Sequence, residues 1–191
     1  MTAFPFILVL HVIFGIVAFA AAPGAMMAKK GGLWHKRFGS AFFYAMMAVA
    51  VSAFILWTLG SELFLMLIAV FSFYLAFSGY RAVKIKNGQA ETIDWLVTSA
   101  ALLAGIGLVI MGVLALYKGN IFGYVALVLG AGCALSAARD LLRFARPVTD
   151  RQAWLINHLT KMLGAYIATV TAVSAVNFHF LPTVWRWLWR S

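Results

Sequence analysis

The stretch "NHLTKMLGAYIATVTAVSAVNFH" at residues 157–179 decides the fold, because it is long enough to cross a bilayer yet carries ionisable side chains. A transmembrane helix needs about 20 consecutive, mainly apolar residues. The stretch has this length, but His158 and His179 lie near its ends and Lys161 follows one turn after His158. Ionisable residues at membrane depth almost always face protein rather than lipid. The stretch therefore predicts a bundle of helices with a polar interior.

The composition of the whole chain also indicates a membrane protein. Hydrophobic residues make up 64% of the chain and charged residues only 10%, whereas soluble domains have about 45–50% and about 25%. The formal net charge of +10 does not indicate nucleic acid, because the basic residues occur in short segments between apolar runs. We therefore expect the lipid bilayer as the partner, with phospholipid headgroups as its anionic component and no nucleic acid.

Six apolar runs are long enough to span a membrane. They cover residues 4–28, 38–60, 62–85, 93–117, 121–144 and 153–181. This pattern predicts an all-α integral membrane bundle of six transmembrane helices, with one transmembrane domain over residues 1–191. We expect the first run to be a retained helix rather than a signal peptide, because no charged residue precedes its apolar core.

The distribution of basic residues predicts the orientation. Eleven Lys and Arg follow the first, third and fifth runs: Lys29, Lys30, Lys36, Arg37, Arg81, Lys84, Lys86, Arg139, Arg143, Arg146 and Arg151. Only three mark the other side: Lys118, Arg186 and Arg190. Because cytoplasmic loops carry the excess of Lys and Arg, we predict that both termini are non-cytoplasmic.

Helical periodicity sorts the sixth run into two faces. The polar and small residues share one face: His158, Lys161, Gly164, Ala165, Ala168, Thr171, Ala172, Ala175 and His179. Larger residues share the other: Leu159, Leu163, Tyr166, Ile167, Val170 and Val173. Small residues let helices approach closely in membranes, so the first face is expected to be packed. The first run has a similar stripe: His11, Gly15, Ala18, Ala22 and Ala25.

The depths of the four histidines suggest two pairs. In the predicted orientation His11 and His179 lie toward the outer side, whereas His35 and His158 lie toward the cytoplasmic side. Two imidazoles that face each other inside a bundle are suitable ligands for a metal or a haem. Two alternatives remain open: a neutral histidine can simply bond a backbone carbonyl of a neighbouring helix, and His35 can belong to the basic cluster formed with Lys36 and Arg37.

Lys161 and the carboxylates each have two interpretations. Lys161 could extend to the cytoplasmic boundary, or it could neutralise an anion such as a haem propionate, a lipid phosphate or an organic acid. Asp94 and Asp140 lie at the cytoplasmic ends of the fourth and fifth runs. Because Arg139 and Arg143 flank Asp140, its two interpretations are a surface ion pair and a site of proton transfer. Glu62 precedes the third run and is expected to cap its helix.

Glycines and metal motifs are also informative. The segments "LLAGIGLVIMG" (102–112) and "LVLGAGCAL" (127–135) predict close contacts between the fourth and fifth helices. The chain has no HExxH or CxxC spacing that would indicate zinc.

Three segments carry a resemblance: "HVIFGIVAFAAAPGA" (11–25), "LWHKRFGSAFFYAM" (33–46) and "HLTKMLGAYIATVTAVSAVN" (158–177). They resemble segments of a bacterial family of small polytopic inner-membrane proteins of unknown function. The resemblance implies a bacterial inner-membrane location and places His11, His35 and His158 in recurring motifs. It implies no chemistry.

These observations lead to one functional hypothesis and two rivals. We expect an intramembrane site lined by His11, His35, His158 and His179 that binds haem b or another metal-containing redox cofactor, with Lys161 at its propionates and quinone as an electron partner. The first rival is a small anion- or proton-coupled transporter or channel, although the chain has no inverted repeat. The second is an accessory subunit of a larger membrane complex or a homo-oligomer, without a site of its own.

Overall fold

The computed structural model describes residues 3–85, 89–146 and 152–177, with side chains as far as Val173. Over these residues the only regular elements are six helices: α1 (Ala3–Met27), α2 (Leu33–Thr58), α3 (Leu63–Ala82), α4 (Thr92–Tyr117), α5 (Gly123–Ala145) and α6 (Ala153–Asn177). The prediction of an all-α bundle of six helices is confirmed. The expectation for His179 lies outside the described residues.

The helices have the length and composition of membrane spans. Helices α1 to α5 are each long and apolar enough to cross a bilayer. Helix α6 is as long, at 25 residues, but Asn157, His158 and Lys161 make its first half more polar. The protein is therefore a multi-pass membrane protein whose outer surface contacts lipid. Large apolar side chains such as Ile16 and Leu103 are accordingly exposed on the outside of the bundle.

The second helix begins earlier than predicted. It starts at Leu33 rather than at residue 38, so that His35, Lys36 and Arg37 lie in its first turns. The break after α1 is short because Gly31 adopts a φ of 74°, which turns the chain, and the Gly32 N–H bonds the Lys29 carbonyl at 2.9 Å. The basic segment is therefore part of a helix that enters the bundle.

Helix α3 lies at the centre of the arrangement. It packs against α2, α4, α5 and α6, while α1 packs against α2 and α6, and α4 packs along α5. Helices α5 and α6 have no close backbone contact within the described part of the chain. We call the side of the bundle where α1, α3 and α5 end and α2, α4 and α6 begin the basic end, because most Lys and Arg residues lie there.

The predicted glycine contact between α4 and α5 is confirmed. A Cβ added at Gly105 would lie 2.6 Å from the backbone nitrogen of Ala134, and one at Gly130 would lie 2.7 Å from that of Val109. No larger residue fits at either position without moving a backbone. These glycines therefore allow the close approach on which α4–α5 packing depends.

The predicted faces are correct for α1 and only partly correct for α6. Ala18 and Ala22 of α1 are buried, as expected for its small-residue stripe. On α6 the prediction is wrong for Thr171 and Ala172, which are exposed, whereas Thr169 is buried. The covered strip of α6 runs through Lys161, Ala165 and Thr169 with a spacing of four residues. Among the described residues, only α1 and α3 pack closely against the α6 backbone, whereas α2 and α5 reach α6 through side chains, so its covered face is narrow.

Tyr166 of α6 also departs from the prediction. It was expected to face lipid, but it is half-buried and lies against the hydrophobic core. Its ring centroid is 6.2 Å from that of Phe19 on α1. Aromatic pairing with α1 therefore draws this side chain toward the bundle.

Candidate functional site: a histidine pair and a buried lysine at the basic end

The interior of the basic end holds a network of five polar side chains from three helices. Its members, which we call the lysine network, are Tyr74 and Ser78 of α3, Ser136 and Asp140 of α5, and Lys161 of α6. Residues four positions apart lie on one face of a helix, so Tyr74 and Ser78 share one face of α3, and Ser136 and Asp140 share one face of α5.

The ion pair between Lys161 and Asp140 forms the centre of the network. The Nζ of Lys161 lies 2.8 Å from Oδ2 of Asp140, and the two residues are only 5% and 2% exposed. Two opposite charges at this separation compensate part of the cost of removing both from water. The pair also joins α6 to α5, whose backbones do not pack together.

Hydroxyl groups complete the surroundings of both charges. Asp140 Oδ2 accepts hydrogen bonds from Tyr74 at 2.6 Å and from Ser78 at 2.8 Å. Lys161 Nζ donates to the Tyr74 hydroxyl and, at 2.6 Å, to Ser136 Oγ. Among the described residues, every buried side-chain nitrogen and oxygen has a hydrogen-bond partner. The network is therefore fully satisfied, which is the condition for charges to persist in a dry interior.

The environment of Asp140 is different from a surface ion pair, which was one of its two sequence interpretations. The carboxylate is buried, and the nearer of the two flanking arginines, Arg143, holds its Nη1 3.9 Å from Oδ1 while remaining half-exposed. Asp140 therefore faces inward because its strongest partner, Lys161, comes from another helix.

A second ion pair at the basic end fastens α3 to α4. Arg81 donates from Nε and Nη2 to the two carboxylate oxygens of Asp94, both at 2.7 Å. Asp94 is 1% exposed and also accepts from the Glu91 backbone N–H at 2.9 Å, so it caps the start of α4. This bidentate ion pair stabilises the α3–α4 junction, because its donors and acceptors belong to α3, to α4 and to Glu91, which precedes α4.

The His35 and His158 rings lie next to each other beside this network. Their ring centroids are 6.3 Å apart, with an interplanar angle of 69°. This proximity agrees with the depths predicted for the cytoplasmic pair. His35 Nδ1 lies 2.8 Å from the Ala25 carbonyl oxygen, and His158 Nδ1 lies 2.8 Å from that of Gly79.

These two hydrogen bonds determine the tautomer of each ring. A carbonyl oxygen only accepts, so in both histidines Nδ1 carries the proton and Nε2 keeps its lone pair in the neutral ring. Ala25 and Gly79 lie in the last turns of α1 and α3, where carbonyls lack helical partners. Each ring therefore helps to cap one helix through its Nδ1, and its Nε2 is available to bind a ligand.

The distance between the two ring centroids limits which group could lie between the rings. Two imidazoles in a direct hydrogen bond have centroids roughly 5 Å apart. One metal ion bound in line between them, with bonds of about 2.0–2.1 Å, gives roughly 6 Å, and a tetrahedral ion gives roughly 5 Å. The observed 6.3 Å, with the rings at 69°, is close to the in-line value and also lies in the range of an ordinary edge-to-face contact.

The other two histidines do not join this pair. His11 Nδ1 lies 2.9 Å from Ser52 Oγ, whose hydroxyl donates to the carbonyls of Ala48 and Val49. His11 precedes Ala25 by about 21 Å along α1, so it belongs to the opposite half of the bundle. Its predicted partner His179 lies outside the described residues. In the described ranges no group of three His, Cys, Asp or Glu could hold a metal ion.

The sequence interpretation missed the hydroxyl members of the network. It allowed for hydrogen bonds from histidines to backbone carbonyls of neighbouring helices but did not identify the acceptors. A signal for Tyr74 and Ser78 is present in "FSFYLAFSGYR" (71–81), where helical spacing places both on one face together with Arg81. Ser136 likewise precedes Asp140 by one turn. No sequence pattern indicates the carbonyls of Ala25 and Gly79, because they depend on how the helices cross.

Comparison with known proteins gave no match to any family, to any curated protein or to any solved structure. The resemblance to a bacterial family of small inner-membrane proteins therefore stays a prediction.

Proposed function

We propose that this protein binds haem b, or a related metal-containing redox cofactor, between His35 and His158, and that it transfers electrons within the membrane. The observation that carries the proposal is the histidine pair, with Nδ1 of each ring bonded to a carbonyl and the centroids 6.3 Å apart. Metal-binding histidines typically donate their second ring N–H to a carbonyl or carboxylate, which fixes the ring orientation.

The chemistry of the surrounding residues fits a haem better than a zinc ion. Zinc sites use three or four protein ligands, whereas a haem needs only axial ligands from the protein. A bound haem would supply one-electron chemistry, and the carbonyls of Ala25 and Gly79 would orient its ligands. Because Lys161 already forms an ion pair with Asp140, we propose that the exposed side chains of Lys36 and Arg37, which adjoin His35, bind the propionates.

The distribution of basic residues and the apolar surface of the helices support proposals for the location and for the electron partner. We assign the protein to a bacterial inner membrane with the basic end toward the cytoplasm, supported by the excess of Lys and Arg there. Quinone is the proposed electron partner, since it is a redox carrier that dissolves in the bilayer surrounding the apolar helices.

A visible spectrum tests the proposal. We expect purified protein, expressed with added haem precursor, to give a reduced-minus-oxidised difference spectrum with about one haem per chain. His35→Ala and His158→Ala should each lose most of the absorbance. His11→Ala is the matched control and should keep it, because His11 lies in the opposite half of the bundle. A colourless protein that takes up no haem contradicts the proposal.

A proton-coupled transporter is the second candidate, favoured by the buried ion pair between Lys161 and Asp140. Ionisable pairs inside membrane bundles commonly mark ion or proton pathways. In liposomes, uptake of a small organic anion driven by a pH gradient, absent in Lys161→Met and unaffected by His158→Ala, would favour this candidate over the haem protein.

A further inference from the structure

The lysine network and the histidine pair share two helices. Lys161 follows His158 by three residues, or about 4.5 Å along α6. On α3, Ser78 donates to Asp140 Oδ2 at 2.8 Å, and the next residue, Gly79, accepts from His158 Nδ1 at 2.8 Å. A change of charge at the half-buried histidine pair therefore acts over a short distance on Lys161, which is itself buried.

The network can satisfy its hydrogen bonds with Lys161 in either protonation state. An ammonium group has three donors, and here they meet three acceptors, on Tyr74, Ser136 and Asp140. A hydroxyl can donate as well as accept and rotates to suit its partner. After loss of one proton, the Ser136 hydroxyl can turn and donate to the lone pair of the Lys161 amine. Both states keep hydrogen bonds to Lys161 Nζ, and in the amine state Arg143, at 3.9 Å, is the cation that remains next to the Asp140 carboxylate.

Opposing groups face Lys161 from the helices around it. On α5, the Asp140 carboxylate favours the ammonium form, while Arg143, 3.9 Å from Asp140, opposes it. Helix α5 also presents the buried thiol of Cys133, and α3 presents the hydroxyls of Tyr74 and Ser78.

Two further ionisable groups lie near Lys161, one on α3 and one on α6, and each already has a partner. Arg81, further along α3, is neutralised by Asp94 and Glu91. On α6, His158 precedes Lys161 by one turn, and its Nδ1 is held by the Gly79 carbonyl. Burial adds a cost to any charge in this region. The charge of Lys161 therefore depends on a small number of nearby groups.

We propose that Lys161 is a proton-binding site coupled to the redox state of the group held by His35 and His158. This inference rests on the proposed haem-binding function. When that group gains one electron, from a quinol-class donor or an electrode, one proton from cytoplasmic water joins Lys161 Nζ and converts the amine to the ammonium. When the electron leaves, the proton returns to water. The added proton offsets the added negative charge, which matters in a medium of low dielectric constant.

Potentiometry on the purified haem protein between about pH 6 and 10 tests the coupling. Uptake of one proton per electron lowers the midpoint potential by about 59 mV for each tenfold fall in proton concentration. We expect a slope approaching this value in the native protein and a flat profile in Lys161→Met/Asp140→Asn, which removes both charges together. The matched control is Arg81→Met/Asp94→Asn, which removes the other buried ion pair and should keep the slope. A flat native profile, or a slope that persists in the first double variant, overturns the inference.

A second measurement does not depend on haem. In protein labelled with ¹⁵N-lysine and held in nanodiscs, the Nζ resonance lost in Lys161→Met reports the protonation of Lys161 directly. We expect its shift to titrate within the same pH range and to move in Ser136→Ala. A Lys161 resonance that stays at the ammonium position throughout overturns the proton site. A colourless protein whose Lys161 titrates contradicts the haem proposal and the redox coupling with it, but supports Lys161 as a proton site.

Discussion

Lys161 Nζ and Asp140 Oδ2 lie 2.8 Å apart and thereby connect α6 to α5, two helices whose backbones have no close contact in the described part of the chain. Helix α3 lies between them and contributes the Tyr74 hydroxyl to both charges. The ion pair is therefore a side-chain bridge across the basic end, beside the histidine pair. Its loss is expected to affect both stability and the geometry of the histidines.

Asp140→Ala should destabilise the reduced protein, in which Lys161 is an ammonium, by about 3–5 kcal/mol, because it leaves that charge buried without its counter-charge. Lys161→Met/Asp140→Leu removes both charges and should be much closer to the native protein. The free energy of unfolding in mixed detergent micelles measures both. If the single and double variants were equally stable, Lys161 would not be held as an ammonium by Asp140.

His158→Gln separates helix capping from ligation. The glutamine amide can still donate to the Gly79 carbonyl, so we expect a loss of stability below about 1 kcal/mol. The haem absorbance should nevertheless be lost, because the amide offers no imidazole nitrogen. His158→Ala should lose both the hydrogen bond and the haem. Retention of haem by His158→Gln would show that Nε2 of His158 is not a ligand.

Gly130→Ala should destabilise the α4–α5 contact by about 1–3 kcal/mol, the usual cost of overpacking. Its Cβ would lie 2.7 Å from the Val109 nitrogen, a backbone atom that cannot move without its helix. Gly132→Ala on the same helix is the control, since a Cβ there meets nothing within 4 Å. We expect it to be neutral or stabilising by up to about 1 kcal/mol. Thermal unfolding compares the two, and equal effects would contradict the close approach at Gly130.

Arg81→Lys should cost about 1–2 kcal/mol, although the charge is kept. Lysine cannot donate two parallel hydrogen bonds to the Asp94 carboxylate, as Arg81 does at 2.7 Å each. Arg143→Lys is the control, because Arg143 is half-exposed and 3.9 Å from Asp140, where a pair contributes little. The difference in unfolding free energy between the two variants checks the bidentate geometry. Similar losses in both would argue against it.

The sequence by itself determined the class and the outline of the fold. Apolar runs of transmembrane length predicted six helices, and the glycines of 102–112 and 127–135 predicted the α4–α5 contact, because length and side-chain size act locally. The small-residue stripe of α1 was also predicted correctly, because helical periodicity shows which residues share a face and small residues on one face allow close packing. The start of α2 was misplaced by five residues because a two-glycine turn needs less chain than the basic segment suggested.

Only the tertiary structure decided which polar groups meet. In the sequence Asp140 is flanked by Arg139 and Arg143, yet it pairs with Lys161, because helix α3 brings α5 and α6 to the distance that one lysine side chain spans. The carbonyls that hold His35 and His158 come from α1 and α3, and no side-chain pattern marks a backbone oxygen as an acceptor. Local sequence fixes which residues form a helix and which of its faces can be buried, whereas partners across the bundle depend on the crossing and rotation of whole helices.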